Sequence, residues 1–352
     1  MKKILSLIVV VTTALVLVAC SNKPRLIIYL PNEYIDMSVI KKFEKENNVR
    51  VRIINFDSNE VALGQVKSNS YDVVIPSDYA IEELAAQGLL EELNTSEYLG
   101  EGFENAPGLE AFLNQLNDEG FNFSKYAIPY FWGNVGVLYN HNITGLTERV
   151  KTEGFGVIGD QNLETIIYES SRDAYMVALN VNDVLLKDAT KTDIDNATQW
   201  LINAKGPKTS ILSDQILTTM LRGTKYDAVI TYSGDAAYIM SENENYSFYA
   251  PANTNVWADG FVIPKNATNK ELAKEFIKYM TSYEAAFDNS SYVGYSSPRK
   301  DVYDEMIAED GEYGDERLRV AYAAKVTPFQ FFRYDSNLKK MLDDGWEIVV
   351  TA

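Results

Sequence analysis

Aromatic and carboxylate side chains recur together at a few points of this chain: Tyr29 to Tyr34, Ser77-Asp78-Tyr79, Arg172-Asp173, Tyr232-Ser233-Gly234-Asp235 and Trp257-Ala258-Asp259. Almost no fixed positive charge stands among them. The pairing suits an alkyl-ammonium ligand, because ring faces attract a cation and cover methylenes while carboxylates accept charge-assisted hydrogen bonds from each ammonium end. In Trp257-Ala258-Asp259, alternate positions of an extended segment would project the indole and the carboxylate to one side. A structural reading, with the Trp in a core and the Asp in a turn, stays open from the residues alone.

Other chemistries are largely closed. The chain has one histidine, His141, and one cysteine, Cys20, so it offers no His-Glu-x-x-His pair, no paired thiolate ligands and no Ser-His elbow. It has no Gly-rich phosphate loop either. His141 lies in Tyr139-Asn140-His141-Asn142 and reads as an ordinary surface residue after a strand. No metal and no cofactor are expected, and the protein is read as a binder rather than an enzyme. A carboxylate-pair glycosidase stays formally open because acids are plentiful, although no spacing selects such a pair.

The elements that must position these residues alternate in type. Short apolar runs at Arg25 to Tyr29, Val49 to Phe56 and Asp72 to Ile75 read as strands, separated by helices over Asp36 to Glu46 and from a Ser58 cap through Val66. Ser77 and Asp78 would cap a further helix that ends at Gly88. Downstream, strands are expected at Thr165 to Tyr168, Asp227 to Tyr232, Ser247 to Ala250 and Phe261 to Ile263, with helices over Asp173 to Val181, Asp235 to Ser241 and Asn269 to Thr281. Such alternation predicts α/β architecture with mostly parallel sheets flanked by helices, and the length fits two lobes. In open α/β sheets ligands sit beyond the carboxyl ends of the strands, where the aromatic and acidic residues fall.

The first residues carry a different signal. Met1-Lys2-Lys3, an apolar run from Ile4 to Val18, and Ala19-Cys20 have the parts of an export signal, too short to span a bilayer comfortably. Leu17-Val18-Ala19-Cys20 resembles the bacterial lipobox, in which the cysteine carries acyl chains such as palmitate. The expected layout is a signal over 1–19, a lipid-anchored tether over 20–24, and localisation on the outer face of the cell membrane. With no second cysteine no internal disulfide can form, so stability must come from apolar burial. The formal charge of −18 disfavours a nucleic-acid partner and would concentrate a cationic ligand near the surface.

Taken in order and spacing, several segments together resemble the spermidine/putrescine substrate-binding proteins of ABC transporters. These are Glu33-Tyr34-Ile35-Asp36, Phe56 to Glu60, Tyr71 to Ser77, Ile128-Pro129-Tyr130-Phe131-Trp132-Gly133, Trp257-Ala258-Asp259 and Val293 to Pro298. The resemblance implies a two-lobed, periplasmic-binding-protein-like fold with one lobe over 25–131 and 252–298, the other over 132–251 and 299–352, and a ligand cleft between them. Crossovers near Trp132, near Pro251 and after Tyr295 would let it close on a polyamine. It also implies ligand contacts at Tyr34, Ser77, Tyr79, Asp173, Tyr232, Trp257, Asp259 and Tyr295, with the rings sandwiching the methylenes and Asp259 holding a buried ammonium.

This chain departs from the family pattern in places. Pro31 and Asn32 replace a tryptophan and a hydroxyl residue, and Ser170 stands where spermidine-preferring members have a carboxylate. Asp235 occupies a position acidic in putrescine-preferring members, and Asp78 is expected to add a carboxylate at the mouth of the cleft. Gln330 corresponds only loosely to a late glutamine contact. The expected function is a monomeric receptor that passes a polyamine to the permease subunits of an ABC transporter. A receptor for another cationic amino compound and a surface carbohydrate-active enzyme are the alternatives.

Overall fold

A computed structural model describes residues 23–213, 215–223, 225–325 and 327–352. The expected signal and Cys20 lie outside these residues. The first lobe opens with β1 (Arg25–Pro31), α1 (Met37–Asn47), β2 (Arg50–Phe56), α2 (Asn59–Ser68), β3 (Val73–Val74) and α3 (Asp78–Ala86). Asp36 caps α1 by accepting from the Ser38 N–H, and the helix buries Val39, Ile40 and Phe43 as its spacing predicts. Ser58 caps α2 through Val61 N–H. Ser77 stands at the start of α3 but makes no cap bond. Its hydroxyl instead accepts from Asn59 Nδ2 at 2.9 Å.

The strands pair as β2-β1-β3, all parallel, so their carboxyl ends point one way. One face of this sheet packs Leu26, Ile28 and Leu30 against α1, and the other packs Tyr29, Phe56 and Val74 against α2 and α3. Burial of both faces explains why β1 and β3 read as near-continuous apolar runs, while β2 at the edge keeps Arg50, Arg52 and Asn55 exposed.

The chain continues through α4 (Pro107–Asp118) into a long strand, β4 (Ile128–Asn140). There follow α5 (Leu146–Glu153), β5 (Thr165–Tyr168), α6 (Ser171–Asn180), α7 (Lys191–Ala204), β6 (Thr209–Leu212), α8 (Gln215–Leu221), β7 (Ala228–Tyr232), α9 (Ser233–Glu242), β8 (Tyr246–Tyr249) and β9 (Val256–Phe261). The second sheet has the order β6-β5-β7-β4-β8. β5, β6 and β7 are parallel, as expected, while β4 runs antiparallel to β7, β8 and β9. Strand direction is a long-range property, so β4 could not announce it locally.

β4 belongs to both lobes: residues Ile128 to Asn134 pair with β9, and Val135 to Asn140 pair with β7 and β8. β9 in turn leads to Val262, which bridges back to Val74 of the first sheet. It begins five residues before the strand expected at Phe261, so Trp257 and Asp259 sit inside it. Ala258, Asp259 and Gly260 interrupt the apolar run that would have revealed the strand. The chain ends in α10 (Lys270–Met280), α11 (Tyr283–Val293), α12 (Lys300–Met306), α13 (Glu316–Tyr322) and α14 (Ser336–Thr351). Among the described residues no helix is long and apolar enough to cross a membrane.

Candidate functional site

Three tyrosine–aspartate pairs form where the two lobes meet. Beyond β1, the Tyr34 hydroxyl donates to Asp259 Oδ2 on β9 at 2.8 Å, and Tyr130 from β4 donates to the Tyr34 carbonyl at 2.6 Å. At the end of β7, the Tyr232 hydroxyl donates to Asp173 Oδ2 of α6 at 3.0 Å. Tyr295, released from α11 by the left-handed Gly294 (φ 86°), donates to Asp235 Oδ1 of α9 at 3.1 Å.

A row of rings joins the pairs. Tyr34 meets Tyr295 at 5.7 Å between ring centroids, Tyr295 meets Trp257 at 5.4 Å, and Trp257 meets Tyr232 at 5.7 Å, each near edge-to-face. Gly234 makes the approach possible, because a Cβ there would stand 2.4 Å from the Tyr295 ring. Expected residues Tyr34, Tyr232, Asp235, Trp257, Asp259, Tyr295 and Asp173 are thus brought together. Ser77 joins them, bridging Asp259 through the backbone.

The electrostatics of this row are unusual. Burial pushes Asp259 and Asp173 up to about 6, against the lowering effect of their hydrogen bonds. In each carboxylate the second oxygen, Oδ1, is buried with no hydrogen-bond partner, and so is the Trp257 Nε1. Unpartnered buried polar atoms are costly and rare, and their gathering beside ring faces marks a place built for a polar guest. The two carboxylate oxygens are acceptors and suit a donor-only cation, whereas the Trp257 indole N–H is a donor.

One expectation needs correction, and two further residues are engaged within the protein. Asp78 is not at the mouth: it is 1% exposed, and its oxygens accept from the backbone N–H groups of Tyr79 at 2.6 Å and Ala258 at 3.1 Å. It ties α3 to β9, and burial pushes its carboxyl up to about 8. Gln330 is also spent on backbone, accepting from Leu186 N–H and donating to the Asn253 carbonyl. The Tyr79 ring face is covered by Arg172, whose guanidinium carbon lies 4.1 Å from its centroid.

Arg172 is the residue that attention to aromatics and acids missed as part of the site. It is 5% exposed and pairs with Glu60 of α2 at 3.5 Å, so it links the second lobe to the first. A second link is Arg333, whose Nη2 lies 2.6 Å and Nε 3.0 Å from the Glu82 carboxylate. The adjacency Arg172-Asp173 at a strand end was its only signal in the sequence. His141 stands away from the site, beside Ser247 at 3.0 Å.

Residues 38–314 match the model of a family described as bacterial extracellular solute-binding protein. The chain is 25% identical over 351 residues to a spermidine/putrescine-binding periplasmic protein of Haemophilus influenzae, covering 88% of this chain and 90% of that one. It is 27% identical over 295 residues to a putrescine-binding periplasmic protein of Escherichia coli, covering 78% and 77%. Among solved structures, a putative spermidine/putrescine ABC transporter protein from Listeria monocytogenes superposes with a TM-score of 0.76 at 28% identity, covering 93% of this chain and 99% of that one.

Proposed function

This chain belongs to the bacterial extracellular solute-binding proteins, and on that premise we propose that it captures a polyamine outside the cell and hands it to an ABC permease. The observation that carries the reading is the pair of buried carboxylates, Asp259 and Asp173, each with one unpartnered oxygen, at the two ends of a ring-lined row. An α,ω-diammonium chain satisfies both ends at once, and the rings between cover its methylenes. The spermidine/putrescine- and putrescine-binding relatives support the same class. No catalytic step is proposed, since solute binding accounts for the site.

The lobes we assign are 25–131 with 252–298, and 132–251 with 299–352. The change of partner along β4 after Asn134 supports a crossover there. Membrane attachment through an acylated Cys20 and a monomeric state complete the proposal. The test is a thermal-shift panel with calorimetry. Putrescine and spermidine should each raise the melting temperature by mass action, while sugars and neutral amino acids leave it unchanged. A panel in which no polyamine shifts the transition would overturn the reading.

A further inference from the structure

Three arginines on one corner of the first lobe have no ion-pair partner among the described residues. Arg25 opens β1 and Arg50 opens β2, and the parallel register sets them directly opposite each other, with Arg52 two positions further on the same face. That spacing places the side chains about 5 Å apart across the strands and about 7 Å apart along β2. All three are exposed, and none has an ion pair or side-chain hydrogen bond among the described residues. Arg149, Arg172, Arg299 and Arg333 by contrast each reach a carboxylate, and Arg317 and Arg319 reach carbonyls.

Like charges directly opposite on a sheet repel, so this arrangement opposes folding unless something anionic lies against it. β2 is an edge strand, and charge on an edge also discourages strand pairing. One charge would serve that purpose. Three on neighbouring positions, in a chain of formal charge −18, form instead an isolated basic face around an open concavity lined with Val51 and Ile53.

Its position indicates the partner. Arg25 stands five residues after Cys20, within about 17 Å of extended chain. β1 runs from this corner toward Tyr34, so the patch lies at the opposite end of the sheet from the site. We propose that Arg25, Arg50 and Arg52 dock on anionic phospholipid headgroups of the leaflet, holding the tethered receptor with its cleft turned away from the membrane to capture ligand. The rest of the acidic surface is repelled by the same leaflet, which reinforces that single orientation.

The experiment replaces the anchor, so that it stands even if Cys20 carries no lipid and whatever ligand the cleft takes. All described elements lie within 23–352, so the chain from residue 21 keeps every one of them. It is held by an N-terminal histidine tag on vesicles of equal nickel-chelating lipid content, made otherwise of phosphatidylglycerol or of phosphatidylcholine. Phenylglyoxal modification of each arginine is followed by peptide mass spectrometry. At low salt Arg25, Arg50 and Arg52 should react about fivefold more slowly on phosphatidylglycerol, the weight of one basic residue at an anionic leaflet. High salt should abolish that protection, and exposed Arg222 should react equally on both. R50Q/R52Q should return Arg25 to its rate on phosphatidylcholine. Equal rates on the two lipids would overturn the proposal and leave the charges as edge protection. Protection by inorganic phosphate alone, without vesicles, would overturn the membrane assignment in favour of general anion binding.

Discussion

Asp259 and Asp173 stand at the two ends of one row of rings, and burial raises both to about 6. Each holds a tyrosine hydroxyl on Oδ2 and leaves Oδ1 unpartnered. Their surroundings differ in one respect. Ser170, Tyr232 and then the Arg172 cation lower Asp173 while Glu60 raises it, whereas only Ser77 and Tyr34, both neutral donors, oppose the burial of Asp259. A carboxylate with a cation beside it keeps a charge partner when no guest is bound, and one without does not. Under the proposed function, Asp259 is therefore the anchor and Asp173 the weaker second end.

The largest expected effect follows directly. Asp259→Asn is close to isosteric and leaves a desolvated ammonium unpaired, so polyamine affinity should fall by about 2–5 kcal/mol in calorimetry. A loss below tenfold, about 1.4 kcal/mol, would place the ammonium elsewhere. Asp173→Asn should cost less, about 1.5–3 kcal/mol, the range for a hydrogen bond to a charged group. A larger loss at Asp173 than at Asp259 would reverse the ranking.

Proton competition sharpens the comparison next. Both carboxyls take up protons as pH falls through about 6 in the unliganded protein, and a bound ammonium must displace them. Affinity should be flat above pH 7 and decline below 6, approaching about tenfold per pH unit for each carboxylate that must ionise. In wild type the decline should be steeper than in Asp259→Asn. For stability the sign is opposite. Folded pKa values lie above the unfolded value, so between about pH 4 and 6 the folded state binds more protons and loses stability as pH rises. Asp78, raised to about 8, extends that loss to higher pH. Melting of the unliganded protein across pH 4.5 to 8 checks this, and saturating polyamine should flatten the curve below about pH 6 while leaving the Asp78 slope above it.

Arg172→Gln removes the cation beside Asp173 together with the stacking on Tyr79 and the pair with Glu60. The lobes then lose one of the arginine links between them. Small-angle scattering should show a larger mean radius of gyration without ligand, and the variant should still contract when polyamine is added. A variant as compact as wild type would mean that Arg172 does not help hold the lobes together. The smallest effect is expected at Asp235, which is partly exposed and held by Tyr295. Asp235→Ser should weaken putrescine more than spermidine in a competition assay, and equal losses would show that this residue does not set the choice.

Much of this was legible from the residues themselves. Val39, Ile40 and Phe43 mark a helix face by spacing alone, the cap at Ser58 is a local choice, and Thr165–Tyr168 forms a strand at the bounds its β-branched run predicts. The acids and rings of the site were legible as types because the carboxyl ends of parallel strands are where such residues are free to gather. The strand containing Trp257 was not, since its neighbours Ala258 and Gly260 carry little apolar signal.

The sequence by itself thus determined the alternation of elements, the chemistry of the cleft and the acidic character of the chain, all of which follow from residue type and short spacing. Tertiary structure alone decided which carboxylate oxygens are free. Asp78 is tied to Ala258 across 180 positions, and Asp259 is held by Tyr34 across 225. No local pattern distinguishes those two acids, for the cost of burying a carboxylate and the donor that relieves it are set by residues that reach it only when the chain has folded.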